Sequence, residues 1–390
     1  MKSEHQKIFL DYSSTTPVDP AVVSAMMPYF SETFGNASSA HAYGRNSKNA
    51  LEESRARIAH TIGAEVGEIF FTSGGTEADN HALIGSALAE KKKTGRNHVI
   101  VSAIEHHAVL HSAEYLRTMG FQISYARVNA NGVVDLDALK EIITPRTSVV
   151  SIMHANNEVG TFQPIDEIAK LTRAYHCIFH SDTVQTIGKI PIDVRTFPVH
   201  LLAISAHKFY GPKGIGTIYI RKGTELDPLL HGGAQERNQR AGTENIPLVV
   251  GLAAALQLSH DEMERNTLHV KKLKERLTAL LVEHVQGLII NGRDAQTLDY
   301  ILNVSLDSKL YSLEAETLLL GMDLRGVAVS SGAACTSGSI QPSHVLLAMG
   351  RDEKTTQMSI RFSFGKNTTI AEVEHAGEIF YSFINSLSKK

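Results

Sequence analysis

The sequence predicts an α/β protein with a large domain built around a mostly parallel central sheet and a smaller α+β domain at the carboxyl end. Two observations support this fold class. Apolar runs that read as buried strands alternate with amphipathic stretches of helical spacing, which is typical of parallel strands joined by helices. The chain also has 390 residues, 43% of them hydrophobic, which is more than a single ordinary domain holds.

The predicted strands of the large domain are apolar runs that end in polar residues. In chain order they are EIFFTS, NHVIVSAIEH, TSVVSIMHANNE, CIFHSD, HLLAISAHK and GTIYIRKG. Helical patterns such as PIDEIAKLTRAYH lie between several of them. Because ligands of such sheets bind beyond the carboxyl ends of the strands, the polar residues at these ends are the candidate site residues.

A change of pattern in the second half of the chain indicates the domain boundary. A long helical pattern runs from about Leu248 to Val285 and is interrupted by polar residues near Ser259 to Asn266. After it come LNVSL, SIRFSFG and a final helical stretch, which predict the smaller domain. We therefore expect a large domain over 13–262 and a small domain over 1–12 and 263–390, which carries a mobile stretch of small residues around Cys335.

Composition excludes several functional classes. The formal net charge is −3, so no basic face for nucleic acid is expected. No apolar run approaches the ~20 residues that span a bilayer, and the first residues lack the apolar core of a signal peptide. Two cysteines, Cys177 and Cys335, do not make a disulfide framework. These features predict a cytoplasmic protein without direct nucleic-acid or membrane partners.

The stretch from Ser73 to Thr76 joins a predicted strand to a predicted helix. Its two glycines allow close backbone approach, and a helix start offers free N–H groups to an anion. This predicts a phosphate cup, with an ordinary strand-to-helix turn as the alternative. It is not a P-loop, because no lysine follows the glycines.

Asp182 and Lys208 each follow an apolar strand. A lysine in a site of low polarity has a depressed pKa and becomes a nucleophilic amine. A carboxylate at a strand end is either paired or exposed in a site, because an isolated buried charge is costly. Pyridoxal phosphate requires such a pair, with an acid beside its ring nitrogen, a lysine for its aldehyde and a separate phosphate anchor.

Five motifs together carry a family resemblance: DTVQ, SAHKFYGPKGIG, IEHH, HANNE and SSGAACTSGS. The sequence resembles the pyridoxal-phosphate-dependent cysteine desulfurases of iron–sulfur cluster assembly and nitrogen fixation, which belong to the class V aminotransferases. The likeness extends from FLDYSSTTPVDP to SIRFSFGKNTT. It implies fold type I of the pyridoxal-phosphate enzymes, and conversion of L-cysteine to L-alanine with a persulfide left on Cys335. The sulfur would pass to iron–sulfur scaffold proteins and other acceptors, with tRNA thiolation as a further destination.

The resemblance also implies roles for individual residues. Lys208 would bond to the cofactor, Asp182 would pair with its ring nitrogen, and Gln185 would hydrogen-bond its phenolic oxygen. His106 would stack on the ring and transfer protons. The phosphate ligands would be Gly75, Thr76, Ser205 and His207, while Asn157 would contact both ring and substrate and Arg361 would clamp the substrate carboxylate. Thr243 would reach the phosphate of a partner subunit, which implies a homodimer.

Cys335 would be the sulfur nucleophile, and its motif ACTSGS is of the type that favours hand-off to a partner protein. We expect no stable metal site, although Cys335 is a candidate transient ligand of a nascent iron–sulfur cluster. A zinc pair at His107 and His111 is a weaker alternative. Cys177 reads as a small core residue. Another class V aminotransferase, a selenocysteine lyase and a silent scaffold stay open as other functions.

Overall fold

The computed structural model describes residues 7–331, 335–336 and 339–387, with the backbone alone for 335–336 and 339–340. The strands in chain order are β1 Ile8–Phe9, β2 Ile69–Thr72, β3 His98–Ser102, β4 Gln122–Ala126, β5 Thr147–Ser151, β6 Ile178–Asp182, β7 Leu201–Ser205, β8 Gly216–Ile220, β9 Leu288–Ile290, β10 Ile301–Leu306, β11 Val327–Ala328, β12 Cys335–Thr336, β13 Ser339–Ile340 and β14 Ser359–Ser363.

Helices connect most of these strands. They are α1 Pro20–Met26, α2 Pro28–Ser31, α3 Ala42–Ile62, α4 Gly75–Asn80, α5 Ser86–Thr94, α6 His107–Thr118, α7 Leu136–Ile142, α8 Ile165–Ala174, α9 Ile246–Asp261, α10 Met263–His284, α11 Ala315–Asp323, α12 His344–Ala348, α13 Glu353–Gln357 and α14 Ile370–Asn385. A π-helical turn, His81–Gly85, joins α4 to α5. Among the described residues, none of the helices combines the length and the apolar character that crossing a bilayer requires.

The central sheet has seven strands in the order β2-β8-β7-β6-β5-β3-β4. From β4 to β7 neighbouring strands are parallel, whereas β8 runs antiparallel to both β7 and β2. The mostly parallel sheet predicted from the sequence is therefore confirmed. The sequence pattern did not predict β4, because this edge strand is partly exposed and lacks a buried apolar run.

Two hydrophobic clusters cover the two faces of the sheet. Ile204 packs with residues of α3 and α9, while its neighbour Ala203 packs with residues of the helices between 78 and 116. Successive side chains of a strand point to opposite faces, so a buried parallel strand needs apolar residues on both sides. This explains why the predicted strands read as continuous apolar runs.

A third hydrophobic cluster lies around a smaller antiparallel sheet of order β14-β10-β9. It contains residues of α10 and α14, and it also takes in Ile8 and Leu10 from the start of the chain. The long helix predicted across 248–285 is broken at Glu262, between α9 and α10. The division at residue 262 stays a prediction, although the break falls where the polar interruption indicated it.

A buried ion pair fixes the segment that carries Thr243. Both terminal nitrogens of Arg55 donate to the Glu236 carboxylate, at 2.7 and 2.8 Å, and the Phe71 N–H donates to it at 2.8 Å. Arg55 and Glu236 are 2% and 5% exposed. Three consecutive residues, 236–238, have φ of 44°, 54° and 66°, a left-handed conformation that is unfavourable for side chains other than glycine. The ion pair therefore stabilises a strained turn.

Replacing Glu236 by Ala should destabilise the protein by about 3–5 kcal/mol, because it leaves the Arg55 guanidinium buried without its partner. Urea unfolding of the purified protein measures this loss. The matched control is Glu374→Ala, which removes an exposed partner of Arg276 and should cost less than about 1 kcal/mol. Equal losses in the two variants would contradict the assignment of Glu236 as a structural anchor.

Candidate active site

A cavity of about 370 Å³ lies beyond the carboxyl ends of β6 and β7, which is the position expected for a ligand of such a sheet. Ten of the residues that the sequence singled out line it: Gly75, Thr76, His106, Asn157, Asp182, Gln185, Ser205, His207, Lys208 and Arg361. Thr243 is exposed and does not line this cavity. The side chain of Cys335 lies outside the described part of the chain. The volume is within the range of small-ligand pockets.

Lys208 lies in the 3₁₀ turn Ala206–Lys208 that follows β7. Its Nζ donates to the main-chain carbonyls of Ser13 at 2.7 Å and Ser14 at 2.8 Å. Burial, together with the nearby charge of Arg361, lowers the pKa of Lys208 to about 8. The amine is therefore held by neutral acceptors and loses its proton more easily than an exposed lysine, as a nucleophilic amine requires.

Asp182 is the last residue of β6 and is buried. Its Oδ1 accepts the Val184 N–H at 2.8 Å. Burial raises the pKa of Asp182 to about 6, against the opposing effects of that hydrogen bond and of the Lys208 charge. A buried carboxylate with so few donors is stabilised by a cationic ligand, and a protonated ring nitrogen is such a ligand.

His106 is the N-cap of α6, where its Nδ1 accepts the Ala108 N–H at 3.1 Å. This bond leaves the proton of the neutral ring on Nε2. Burial first, and then the charge of Lys208, lower the pKa of His106 to about 4. The imidazole is therefore neutral near pH 7 and is able to accept a proton.

One end of the cavity collects groups suited to an anion. A Cβ on Gly75 would lie 3.0 Å from Val184 Cγ2 and 3.3 Å from Ser205 Cβ, so glycine allows the start of α4 to approach β7 closely. Thr76 and Ser205 add hydroxyls to the N–H groups at the start of the helical segment. His207 lies beside them, and its Nδ1 is 3.1 Å from Thr15 Oγ1.

Arg361 enters the cavity from β14 and is 4% exposed. Its Nη2 donates to Asp11 Oδ1 and to Ser14 Oγ, both at 2.8 Å, and its Nη1 donates to the Asn157 carbonyl at 2.8 Å. Its Nε is buried without a hydrogen-bond partner among the described residues. Because the guanidinium is buried and one donor is unsatisfied, an incoming carboxylate would find both charge and a free N–H.

A family model described as aminotransferase class-V matches residues 8–375. The chain is 44% identical over 382 residues to the cysteine desulfurase IscS of Dictyoglomus turgidum, covering 98% of this chain and 95% of that protein. The chain belongs to the aminotransferase class-V family. It is also 44% identical over 387 residues to the cysteine desulfurase IscS of Methanosarcina thermophila, covering 99% and 94% of the two proteins. The structure of a NifS-like protein superposes on this chain with a TM-score of 0.90 at 36% sequence identity. The match covers 98% of this chain and 100% of the NifS-like chain.

Two carboxyl groups of this class-V chain line the cavity without having been predicted. Asp79 lies four residues after Gly75, a spacing that puts both on one helix face and was available as a signal. Burial and the charge of Asp182 raise its pKa well above the usual value. Glu158 directly follows Asn157, and burial raises its pKa to about 7. Both groups therefore hold a proton more readily than exposed carboxyls.

The remaining predictions concern histidine and cysteine. The rings of His107 and His111 are 5.1 Å apart, and His344 lies 4.9 Å from His107. Within the part of the class-V chain that the structure describes, no group of three or more His, Cys, Asp or Glu is arranged to hold a metal ion. Cys177 is 3% exposed, and burial raises the pKa of its thiol to about 12. Cys177 belongs to a hydrophobic cluster, which confirms the prediction that it is a core residue.

Replacing Lys208 by Met should raise the pKa of His106, because the variant removes a positive charge that disfavours the imidazolium. A rise of roughly 0.5–1 unit is expected, and NMR titration of the ring resonance in the protein without added ligand measures it. His154 is the matched control, since burial alone lowers its pKa to about 4. A shift of both histidines, or of neither, would contradict the electrostatic link.

Proposed function

We propose that this chain is a cysteine desulfurase that binds pyridoxal phosphate in the cavity and forms a persulfide on Cys335. One observation carries the proposal. Ser330, the first residue of SSGAACTSGS, lines the cavity and exchanges backbone hydrogen bonds with Arg361. Five residues extend at most about 18 Å, so Cys335 lies within that distance of a residue of the cavity wall.

The residues present fit pyridoxal phosphate. Gly75, Thr76, Ser205 and His207 would hold the phosphate, and Asp182 would face the ring nitrogen. The buried Asp182 carboxyl has a raised pKa and few donors, and the tight approach at Gly75 leaves room for no side chain. When bound, the cofactor supplies an aldehyde that captures primary amines and a ring that withdraws electrons from the substrate α-carbon.

The chain's own residues then have separate tasks. Arg361 would bind the carboxylate of L-cysteine through its guanidinium, which stays charged at every working pH. The neutral imidazole of His106 would accept and return a proton at Nε2 once its ring proton has moved to Nδ1, a change that requires the hydrogen bond from the Ala108 N–H to break. Lys208, with its lowered pKa, would supply the amine and later a proton. Each task follows from a group whose position or ionisation the cavity already fixes.

Sulfur transfer would take place on the Cys335 thiolate. A bond forms between Cys335 Sγ and the sulfur of the substrate, the carbon–sulfur bond of the substrate breaks, and the substrate carbon gains a proton. The sum is Cys335 thiol plus L-cysteine giving Cys335 persulfide plus L-alanine, so neither an oxidant nor a reductant is needed. The persulfide would pass to iron–sulfur scaffold proteins and other acceptors. A cytoplasmic location is part of the proposal because the thiol must stay reduced.

Replacing Cys335 by Ser should abolish alanine release from L-cysteine, because no thiolate remains to take the sulfur. The same variant should keep the absorbance of bound pyridoxal phosphate, and the wild type should gain the mass of one sulfur atom on Cys335 after incubation with L-cysteine. Cys177→Ser is the control and should keep both activity and persulfide. Undiminished alanine release by the Cys335→Ser variant would instead favour a lyase or another class V reaction.

A homodimer is the second part of the proposal. Thr243 is exposed, and the strained turn beside it is anchored by Arg55. Several large apolar side chains near the amino end are also exposed, among them Met27 and Phe30 at 57% and Phe34 at 65%. Exposed apolar side chains in such number support an interface. A second copy is the occupant we propose, with Thr243 completing the phosphate site of its partner.

Replacing Phe34 by Asp should shift the protein from dimer to monomer, because a charge would be buried at the proposed interface. Light scattering behind a sizing column measures the mass. Leu324→Asp is the control: Leu324 is 74% exposed but belongs to the carboxyl-terminal part of the chain, and its variant should remain dimeric. A monomeric wild type, or a dimeric Phe34→Asp variant, would contradict this interface.

A further inference from the structure

Lys189 is a buried lysine that none of the tasks above uses. It lies in the turn after β6, four residues beyond Gln185, and is 7% exposed. Its Nζ donates to Gln185 Oε1 at 3.1 Å and lies 5.4 Å from the centre of the Tyr300 ring. Its own carbonyl accepts the Thr267 hydroxyl at 3.1 Å. The side chain is therefore held directly behind a residue of the cavity wall.

Lys189 lacks a counter-ion in the part of the chain that the structure describes. Among the described residues, no carboxylate lies within ion-pair distance of its Nζ. Burial, with the charges of Lys208 and Arg361, lowers its pKa to about 7. Burying a cation without a partner opposes folding, and an apolar side chain of similar size would be tolerated at least as well. Stability therefore does not account for a lysine at this position.

The hydrogen bonds around Gln185 indicate what Lys189 does. Lys189 Nζ donates to Oε1, and a carboxamide has one accepting end and one donating end. Lys189 therefore holds Oε1 on its own side and turns the Nε2 amide group away. Nε2 donates to the Ser13 carbonyl at 3.0 Å, the same carbonyl that Lys208 contacts at 2.7 Å. Oε1 is thus occupied by Lys189 and one N–H of Nε2 by Ser13, which leaves Gln185, a residue of the cavity wall, with one further N–H that has no partner among the described residues.

We propose that Lys189 is a positioning residue, whose Nζ donor, together with the Ser13 carbonyl, holds the Gln185 carboxamide so that the cavity offers a hydrogen-bond donor to an anionic oxygen of its ligand. This inference rests on the proposed function, in which that oxygen belongs to the ring of pyridoxal phosphate. Without the donor at Lys189, only the bond from Nε2 to the Ser13 carbonyl opposes rotation of the amide, so the flipped orientation becomes more populated. In that orientation the carbonyl oxygen of Gln185 faces the ligand oxygen and repels it.

The first test is a double-mutant cycle on the affinity of the protein without cofactor for pyridoxal phosphate. Lys189→Met keeps the shape and removes the donor, and it should weaken binding about tenfold, the value of one hydrogen bond to a charged group. In a Gln185→Ala background the same substitution should change affinity less than twofold, because Lys189 acts through Gln185. An equal loss in both backgrounds, or no loss in either, would overturn the proposal.

Lys274→Met is the matched control. Lys274 is also buried with a pKa lowered to about 8, but its Nζ donates to Thr297 Oγ1 and the Leu298 carbonyl, away from the cavity. This variant should bind pyridoxal phosphate as the wild type does. Thermal unfolding separates positioning from a structural role: Lys189→Met should melt no lower than the wild type, since it removes an unpaired buried charge. A lower melting temperature would indicate that Lys189 merely supports the fold.

A second measurement keeps the inference separate from the proposed function. In protein without ligand, NMR contacts between the Gln185 side-chain NH₂ and protons of Ser13 and Ser14 should be strong in the wild type and weak in Lys189→Met. If the wild type binds no pyridoxal phosphate, the proposed function fails while this readout still decides the orientation of Gln185. If it binds and the contacts are the same in both proteins, the inference about Lys189 fails alone.

Discussion

The active-site cavity depends on two main-chain carbonyls, those of Ser13 and Ser14. The Ser13 carbonyl accepts from Lys208 and from Gln185, the Ser14 carbonyl accepts from Lys208, and the Ser14 hydroxyl accepts from Arg361. Lys208 lies in the turn after β7, Gln185 lies in the turn after β6, and Arg361 belongs to β14. A short segment near the amino end therefore holds the amine, the amide and the guanidinium at fixed positions. Backbone carbonyls suit this task because they hold the lysine without placing a negative charge beside it. Such a charge would raise the pKa of Lys208, which burial and Arg361 keep low.

The excess of cations over ionised acids sets the chemistry of the cavity. After burial, the charges of Lys208 and Arg361 lower the pKa of Lys189, and the charge of Arg361 lowers the pKa of Lys208. Asp182 and Asp11 oppose the shift of Lys208 in part. Burial raises the pKa of both Asp79 and Glu158, so each favours its neutral form more than an exposed carboxyl does. A cavity of this kind attracts ligands that carry several negative charges, such as a phosphate together with a carboxylate. Burial, followed by the charge of Lys208, makes the uncharged ring the stable form of His106, and a proton acceptor must be uncharged.

Sequence patterns predicted the cavity residues that a local motif marks, and they did not predict the contacts between residues far apart in the chain. Asp182 and Lys208 could be found because each ends a buried apolar strand, and parallel strands bring their carboxyl ends together. Gly75 and Thr76 could be found because a strand-to-helix turn has its own pattern. The roles of Arg361, Gln185 and Thr243 came from the family resemblance, and those roles stay predictions. The convergence of Lys208 and Arg361 on Ser13 and Ser14 joins residues 194 to 347 positions apart, and no periodicity encodes such a pairing. The edge strand β4 was missed because its solvent-facing residues break the apolar pattern.

Both ends of the segment that carries Cys335 are attached to the cavity wall. At one end the backbone of Ser330 pairs with that of Arg361, and at the other end the hydroxyl of Ser343 donates to Glu158. His344 adds a hydrogen bond from its ring to the carbonyl of Glu105. Five residues separate Cys335 from Ser330, so the backbone of Cys335 lies within about 18 Å of the cavity wall. The anchoring residues also contact the site itself, since Arg361 and Glu158 both line it. The same side chains therefore line the cavity and anchor the segment, and a ligand that alters the charge around Arg361 also alters the environment of Glu158.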